Sequence, residues 1–528
     1  MYSEELVDPV TAPRQAFLSI FLLAVHGLLF FKKGFKNKVL QSSRLSLLLI
    51  LTNAVLLGLS LASAAYAHVV SESLYVASKY GILLVFLLTT YFLLSAQLLF
   101  RTDLVNGVLI FCIISLGYGI YDIILLWDSG FQLLNHSVLI TATYANKNLF
   151  ASVLFLCFWA VFTARMPSLA RMLLVLVLSV FVLLLQSKIV VFVTAGLLSA
   201  LAIKNIPSFQ KQKKSLWIGA LLITVLLLGV LINFNRFVNL ASMHTLGIRF
   251  AMWSNSMQMF AENPLGVGAG NWQVFFPKYG LSHFDLPAVR NGTTMGRQPH
   301  NDFIWMLCES GIQGLATYLS AFLLLFILQI RSIQKSNDPF SFLLLISSIG
   351  YFLVAFFDFP LERMEHQVLV SVIMALSMHQ YDGVCKNPLP VKSSWLLLIC
   401  LPLIFCSGLI SYYRLRGEYY TREALAINSK KYPELVVENC DKARSAFYNL
   451  DPVAIPVDWY AAMALAGAGN THEARLRMER ALEFTPYNIR ILNRLATIYA
   501  KEGQREKAVL LYTRALSISP TASIAPIK

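Results

Sequence analysis

The sequence predicts an all-α membrane protein: a polytopic helix bundle of about twelve spans followed by a C-terminal helical-repeat domain. Three observations predict it. Hydrophobic residues make up 57% of the 528-residue chain and charged residues only 13%, too apolar for a water-soluble domain. The apolar residues fall in runs of span length, separated by loops rich in lysine and arginine. From about residue 414 the chain turns charged and alanine-rich, and it repeats.

The apolar segments lie near residues 15–31, 45–66, 74–99, 104–127, 148–164, 171–186, 188–203, 216–234, 302–330, 340–358, 366–380 and 393–413. A backbone in lipid has no water to bond to, so each should be a helix. The first is preceded by the acidic MYSEELVDPVTAPR and followed by no small-residue cleavage site; a retained span is expected, not a signal peptide. Lys32, Lys33, Lys36, Lys38 and Arg44 share one side with Arg165 and Arg171 if the segments alternate. Lys204, Lys211, Lys213, Lys214, Arg331, Lys335, Lys386 and Lys392 fall on that side too. Such a side is cytoplasmic. The N-terminus, the connections 128–147, 235–301 and 359–365, and everything after residue 413 then face outward. The net charge of +15 is therefore a matter of topology and does not call for nucleic acid.

Two domains are expected: a transmembrane domain over 1–413, with a large outer loop at 235–301, and a helical-repeat domain over 414–528. In the latter, GNTHEARLRMERALEFTP (469–486) matches GQREKAVLLYTRALSISP (503–520) at a period of 34. Gly469 aligns with Gly503, Ala474 with Ala508, Ala481 with Ala515 and Pro486 with Pro520. Small residues at helix crossings and a proline closing each unit resemble tetratricopeptide repeats. Such repeats present either a surface for a protein partner or a packed helical cap. The seven cysteines form no CxxC and no Cys/His metal spacing, which argues against structural zinc, redox catalysis and a disulfide framework.

The outer loop holds the chemistry. Arg236, Arg249, Lys278, Arg290 and Arg297 face only Glu262 and Asp285 within it. A cationic excess on the outer side runs against the topology rule, and an anionic ligand would account for it. Arginine suits phosphate because its planar fork donates two parallel hydrogen bonds. NPLGVGAGNW (263–272) has the spacing GxGxG without a strand–turn–helix setting, so a dinucleotide fingerprint is rejected. It reads as a turn, with amides that either close the turn or face an anion. In GRQPHNDFIW (296–305), Asn301 or Asp302 can cap the helix that follows. His300 then sits at the positive end of a helix dipole, which disfavours the imidazolium and leaves a ring able to accept a proton.

RFAMW (249–253), NPLGVGAGNW, HNDF (300–303) and ESGIQG (309–314), in that order before a span, resemble the O-antigen ligase and polymerase family. NKNLFA (146–151) and FFDFPLE (356–362) extend the resemblance to roughly residues 140–380. It implies an enzyme on the outer face of the bacterial inner membrane, without metal, nucleotide or other cofactor. Such an enzyme moves a glycan from an undecaprenyl pyrophosphate carrier to an acceptor hydroxyl on lipid A–core, on a growing glycan or on a protein. The resemblance places the family's arginine at Arg249 and its histidine at His300. A second family arginine corresponds to Lys188, which keeps the charge but loses the fork. The expected roles are base for His300, pyrophosphate binding for Arg249, Lys188 and Arg297, and support from Asn148, Asn301, Asp302 and Glu309. A transporter would show repeats among its spans and ionisable groups at mid-membrane; Lys79, Asp122 and Lys188 instead lie toward the outer ends. A scaffold for the repeat domain would not need the histidine–arginine loop.

Overall fold

The structure, a computed structural model, describes residues 2–32, 38–127, 139–203, 240–281, 284, 289, 292, 296–336 and 338–520. The expected segment 216–234 lies outside these residues, as do Lys33, Lys36, Lys204, Lys211, Lys213, Lys214, Arg236, Asp285 and Arg290. Each of the other expected segments coincides with a helix. They are α1 (Thr11–Phe31), α2 (Arg44–Ser63), α3 (Val70–Ser95), α4 (Arg101–Trp127), α5 (Lys147–Thr163), α6 (Ser168–Leu184) and α7 (Lys188–Ile203). After the outer-loop helices α8 (Leu240–Glu262) and α9 (Trp272–Phe275) come α10 (Asp302–Ser336), α11 (Pro339–Phe357), α12 (Met364–Asp382) and α13 (Ser394–Ala426). Among the described residues, seven helices, α1 to α4, α10, α11 and most of α13, are long and apolar enough to cross a membrane; α5, α6 and α7 are shorter apolar helices.

Leu149 to Val161 of α5 are buried without interruption, with α4, α6, α7, α11 and α12 packed around it. A short strand, β1 (Val39–Ser42), pairs antiparallel with β2 (Leu389–Lys392). It joins the two loops that precede α2 and α13, at the end where the cationic loops gather.

The opposite end carries the outer loop. There Asp8 donates its amide to Glu418 at 2.9 Å, Val69 donates to the Asn271 side chain at 2.8 Å, and Arg14 reaches the Thr143 carbonyl at 2.5 Å. The starts of α1, α3 and α5 therefore share one face with the loop. The change in composition at residue 414 does not interrupt α13, which carries the chain from the bundle into the C-terminal region as one helix.

Five further helices follow: α14 (Pro433–Ala443), α15 (Val457–Gly467), α16 (Thr471–Phe484), α17 (Ile489–Lys501) and α18 (Arg505–Ile518). Gly469 and Gly503 close α15 and α17 at φ 84° and 77°, the left-handed conformation that a helix-ending glycine adopts without strain. Ala474, Ala481, Ala508 and Ala515 are buried on α16 and α18. The outer loop is not a separate flap. Met252, Met259, Trp272 and Phe276 share one hydrophobic core with Trp459, Met478, Ile491, Leu492 and Tyr512 of the C-terminal helices.

Candidate active site

Two glycine motifs interlock and position the helix that carries Arg249. Helix α10 breaks at Gly311, whose φ of 69° and ψ of −169° are non-helical. The turn 263–272 fills the break. Val267 donates to the Cys308 carbonyl at 2.9 Å, Gly268 to the Glu309 carbonyl at 3.0 Å and Ile312 to the Pro264 carbonyl at 3.3 Å. A Cβ on Gly311 would come within 2.6 Å of the Leu265 backbone, so this close approach requires glycine. The turn's amides do face an anion, and it is the protein's own. Glu309 accepts from Gly270 at 2.7 Å and Trp272 at 3.1 Å.

That interlock sets α8 beside α10 and α11, and so aims Arg249. Its Nη1 donates to the Phe357 carbonyl at 2.5 Å, an acceptor left open at the C-terminus of α11. Arg249 lines a cavity of about 490 Å³ together with Lys188 and Asn148, which the sequence had singled out, and with Lys147, Gln186 and Asp358. Lys188 opens α7 after Gln186, a left-handed residue at φ 53°. Lys147 opens α5, whose start is capped by the Asn146 side chain accepting from Asn148 at 2.8 Å and Leu149 at 3.4 Å.

His300 meets this cavity through Asp358. Its Nδ1 lies 3.5 Å from Asp358 Oδ1, an ion-pair approach longer than a formed hydrogen bond. The ring packs edge-on against Phe359 at 4.9 Å. His300 holds a left-handed φ of 53°, uncommon for a residue with a Cβ. Its neighbours lock it there: Trp253 donates to the Pro299 carbonyl at 2.8 Å, and Asn301 accepts from Phe303 and Ile304, each at 3.0 Å. Asn301 is thus the cap of α10. Asp302 is buried and accepts from Leu361 at 3.0 Å, which ties the 300–302 segment to the 358–362 turn. Burial pushes the Asp358 carboxyl up, but His300 and Arg249 outweigh it and hold it below its ordinary value.

Arg297 lies elsewhere. It pairs with Asp8 at 3.4 Å and lines a second cavity with Asp8, Glu72, Glu309, Glu362 and Arg414. Of the expected site residues, the structure therefore brings together Lys188, Arg249 and Asn148, with His300 adjoining. Arg297 and Glu309 are not among the residues lining the cationic cavity, Asn301 and Asp302 hold the histidine segment, and Glu309 holds the glycine turn. Lys147 and Asp358 were missed as site residues. Each is a charge at the end of a span, and each lies in a stretch that carries the family resemblance, NKNLFA (146–151) and FFDFPLE (356–362); those were the signals available. Among the described residues, no three His, Cys, Asp or Glu side chains converge as metal ligands.

A bundle of membrane-length apolar helices, with a cationic cavity and a histidine–carboxylate pair at one end, defines a class: polytopic helical membrane proteins. The particular family follows from comparison. Residues 172–319 match the family model described as O-antigen ligase, which supports the resemblance read from the sequence motifs. The matched span holds Lys188, Arg249, Arg297 and His300 to Glu309. None of the curated proteins matches the chain. The match supports a membrane enzyme of glycosyl transfer, with a lipid-linked glycan and an acceptor as its general partners.

Proposed function

We propose that this protein transfers a glycan from undecaprenyl pyrophosphate to an acceptor hydroxyl on the outer face of the inner membrane, as an O-antigen ligase. The observation that carries the reading is the convergence of Lys188 and Arg249 on one cavity whose wall includes Asp358, with His300 against that carboxylate. A glycosyl pyrophosphate already has a good leaving group. Catalysis then needs a base for the acceptor and cations for the departing charge.

In this scheme Asp358 accepts from Nδ1–H of His300 and fixes the tautomer in which Nε2 is open. Nε2 removes the proton from the acceptor hydroxyl as its oxygen attacks the anomeric carbon. The bond from that carbon to the phosphate oxygen breaks, and its electron pair leaves with the polyprenyl pyrophosphate. Arg249 and Lys188 meet the charge that builds there; the proton on His300 then passes to water. No step uses a metal ion or other cofactor. The position at a membrane mouth suits a donor anchored in lipid and an acceptor that arrives from water.

The C-terminal helices, read as tetratricopeptide-like repeats, rest on the outer loop through a shared core. That contact supports a role in presenting the acceptor, whether lipid A–core, a growing glycan or a protein, or in holding a protein partner.

The test is transfer by the purified protein in lipid nanodiscs with a lipid-linked glycan donor and acceptor. His300→Ala should lower turnover by roughly 10²–10⁴ while the melting temperature holds, and EDTA should leave wild-type turnover unchanged. Full activity in the alanine variant removes His300 from the reaction, and loss of turnover in EDTA with rescue by added metal refutes the metal-free scheme.

A further inference from the structure

We infer that Lys147 is a third cation on the lipid-linked pyrophosphate, a role that rests on the donor reading above. Lys147 lies outside the matched family region but lines the same cavity as Lys188 and Arg249. The three come from different elements, the starts of α5 and α7 and the length of α8, so they surround the space rather than stripe one helix. The Asn146 cap fixes the first turn of α5 and with it the root of the Lys147 side chain. Asn148, next in sequence, lines the cavity too.

Charge makes the case specific. Among the described residues that line the cavity, three cations stand against one carboxylate, Asp358, and His300 already faces that carboxylate. The lining has an excess of two positive charges. A glycosyl polyprenyl pyrophosphate is a diester and carries two negative charges at neutral pH. Without Lys147 the excess among the described lining residues would be one, half the donor's charge. The need then grows during reaction, because the bond that breaks leaves a further ionisable oxygen on the pyrophosphate. Lysine serves here as a point charge on a long stem that can follow the phosphate.

The experiment separates this role from that of an interfacial anchor, whose ammonium would merely extend to the headgroups. Binding of farnesyl pyrophosphate, a lipid pyrophosphate without sugar, is measured by calorimetry on the full chain in nanodiscs. Lys147→Gln should weaken binding roughly tenfold, the usual weight of a charge-assisted contact, and should lower kcat with the lipid-linked donor. Lys147→Arg should bind within about threefold of wild type. Melting temperatures show whether each variant is folded. Wild-type affinity and turnover in Lys147→Gln overturn the role of Lys147 and leave the donor reading intact. A wild-type protein that does not bind farnesyl pyrophosphate at all overturns the donor reading itself, and Lys147 with it.

Discussion

Two charged cavities flank the segment 297–302, and their contrast shows what separates a site from a joint. One has about 490 Å³ of space and is lined by Lys147, Lys188, Arg249 and Asp358. The other has about 50 Å³ and is lined by Asp8, Glu72, Lys79, Arg297, Glu309 and Glu362, among others. In the second cavity the charges have found one another. Arg414 holds Glu72 with two hydrogen bonds of 2.6 and 3.1 Å and lies over Tyr75 and Tyr448. Arg297 holds Asp8, Gln298 donates to Glu362, and Glu309 takes two amides. These pairs fasten the N-terminal segment, α3, the glycine turn and α13 at one point. The first cavity has more cation than carboxylate and room for a ligand. Counting charge along the sequence could not tell the two apart; counting charge around enclosed space does.

The largest effects should come from swapping the properties of the two cavities. Glu72→Ala strands the buried Arg414 and should destabilise the protein by about 3–5 kcal/mol, read as a lower melting temperature in nanodiscs. Arg249→Gln should do the reverse, keeping the melting temperature but cutting kcat/KM by at least about tenfold. A Glu72→Ala protein as stable as wild type would mean the joint is not a joint.

Arg297→Gln is the sharper discriminator, because the sequence placed Arg297 with the pyrophosphate and the structure places it against Asp8. It should cost roughly 1 kcal/mol of stability, since Arg297 is itself part-exposed and the buried Asp8 keeps Arg363 nearby, and leave the KM for the lipid-linked donor within about twofold. A large rise in that KM would return Arg297 to the donor site. At Lys188 the outcome should turn on charge. There Lys188→Arg should keep most of the activity, since the charge remains, whereas Lys188→Gln should raise donor KM and lower turnover. Equal kinetics for wild type and Lys188→Gln would make Lys188 an anchor alone.

The smallest effect is with pH. Burial pushes the carboxyls of Asp8 and Asp358 up, but nearby cations outweigh it and both are held below their ordinary value: Arg297 and Arg363 at Asp8, His300 and Arg249 at Asp358. A depressed carboxyl contributes stability that is fully present above the unfolded value, near pH 4, and is lost as pH falls through the lower folded value. Melting temperature should therefore be insensitive to these groups between about pH 5 and 8 and fall below about pH 4. Asp358→Asn should flatten part of that fall, and a variant with an unchanged acid limb would remove Asp358 from it.

Much of the helical scaffold was legible because its cause is local. A run of apolar residues must satisfy its own backbone in lipid, so the segments from 15–31 through 393–413 that the structure describes are helices at the expected places. The 34-residue period was equally plain, since Gly469 and Gly503 adopt the same left-handed turn. Arg249 and Lys188 could also be chosen through the family resemblance, and His300 through that resemblance and its place at a helix start. Their partners could not. Lys147 is one lysine among many span-end charges, and Asp358 one aspartate after an apolar run. Which of them meets Arg249, and which arginine is spent on Asp8, depends on contacts between elements far apart in the chain. Those contacts follow from the break at Gly311, into which the 263–272 turn locks to aim α8. Side-chain type and spacing along one helix are properties of the sequence by itself; the cavity that three separate cations line together exists only after the helices pack.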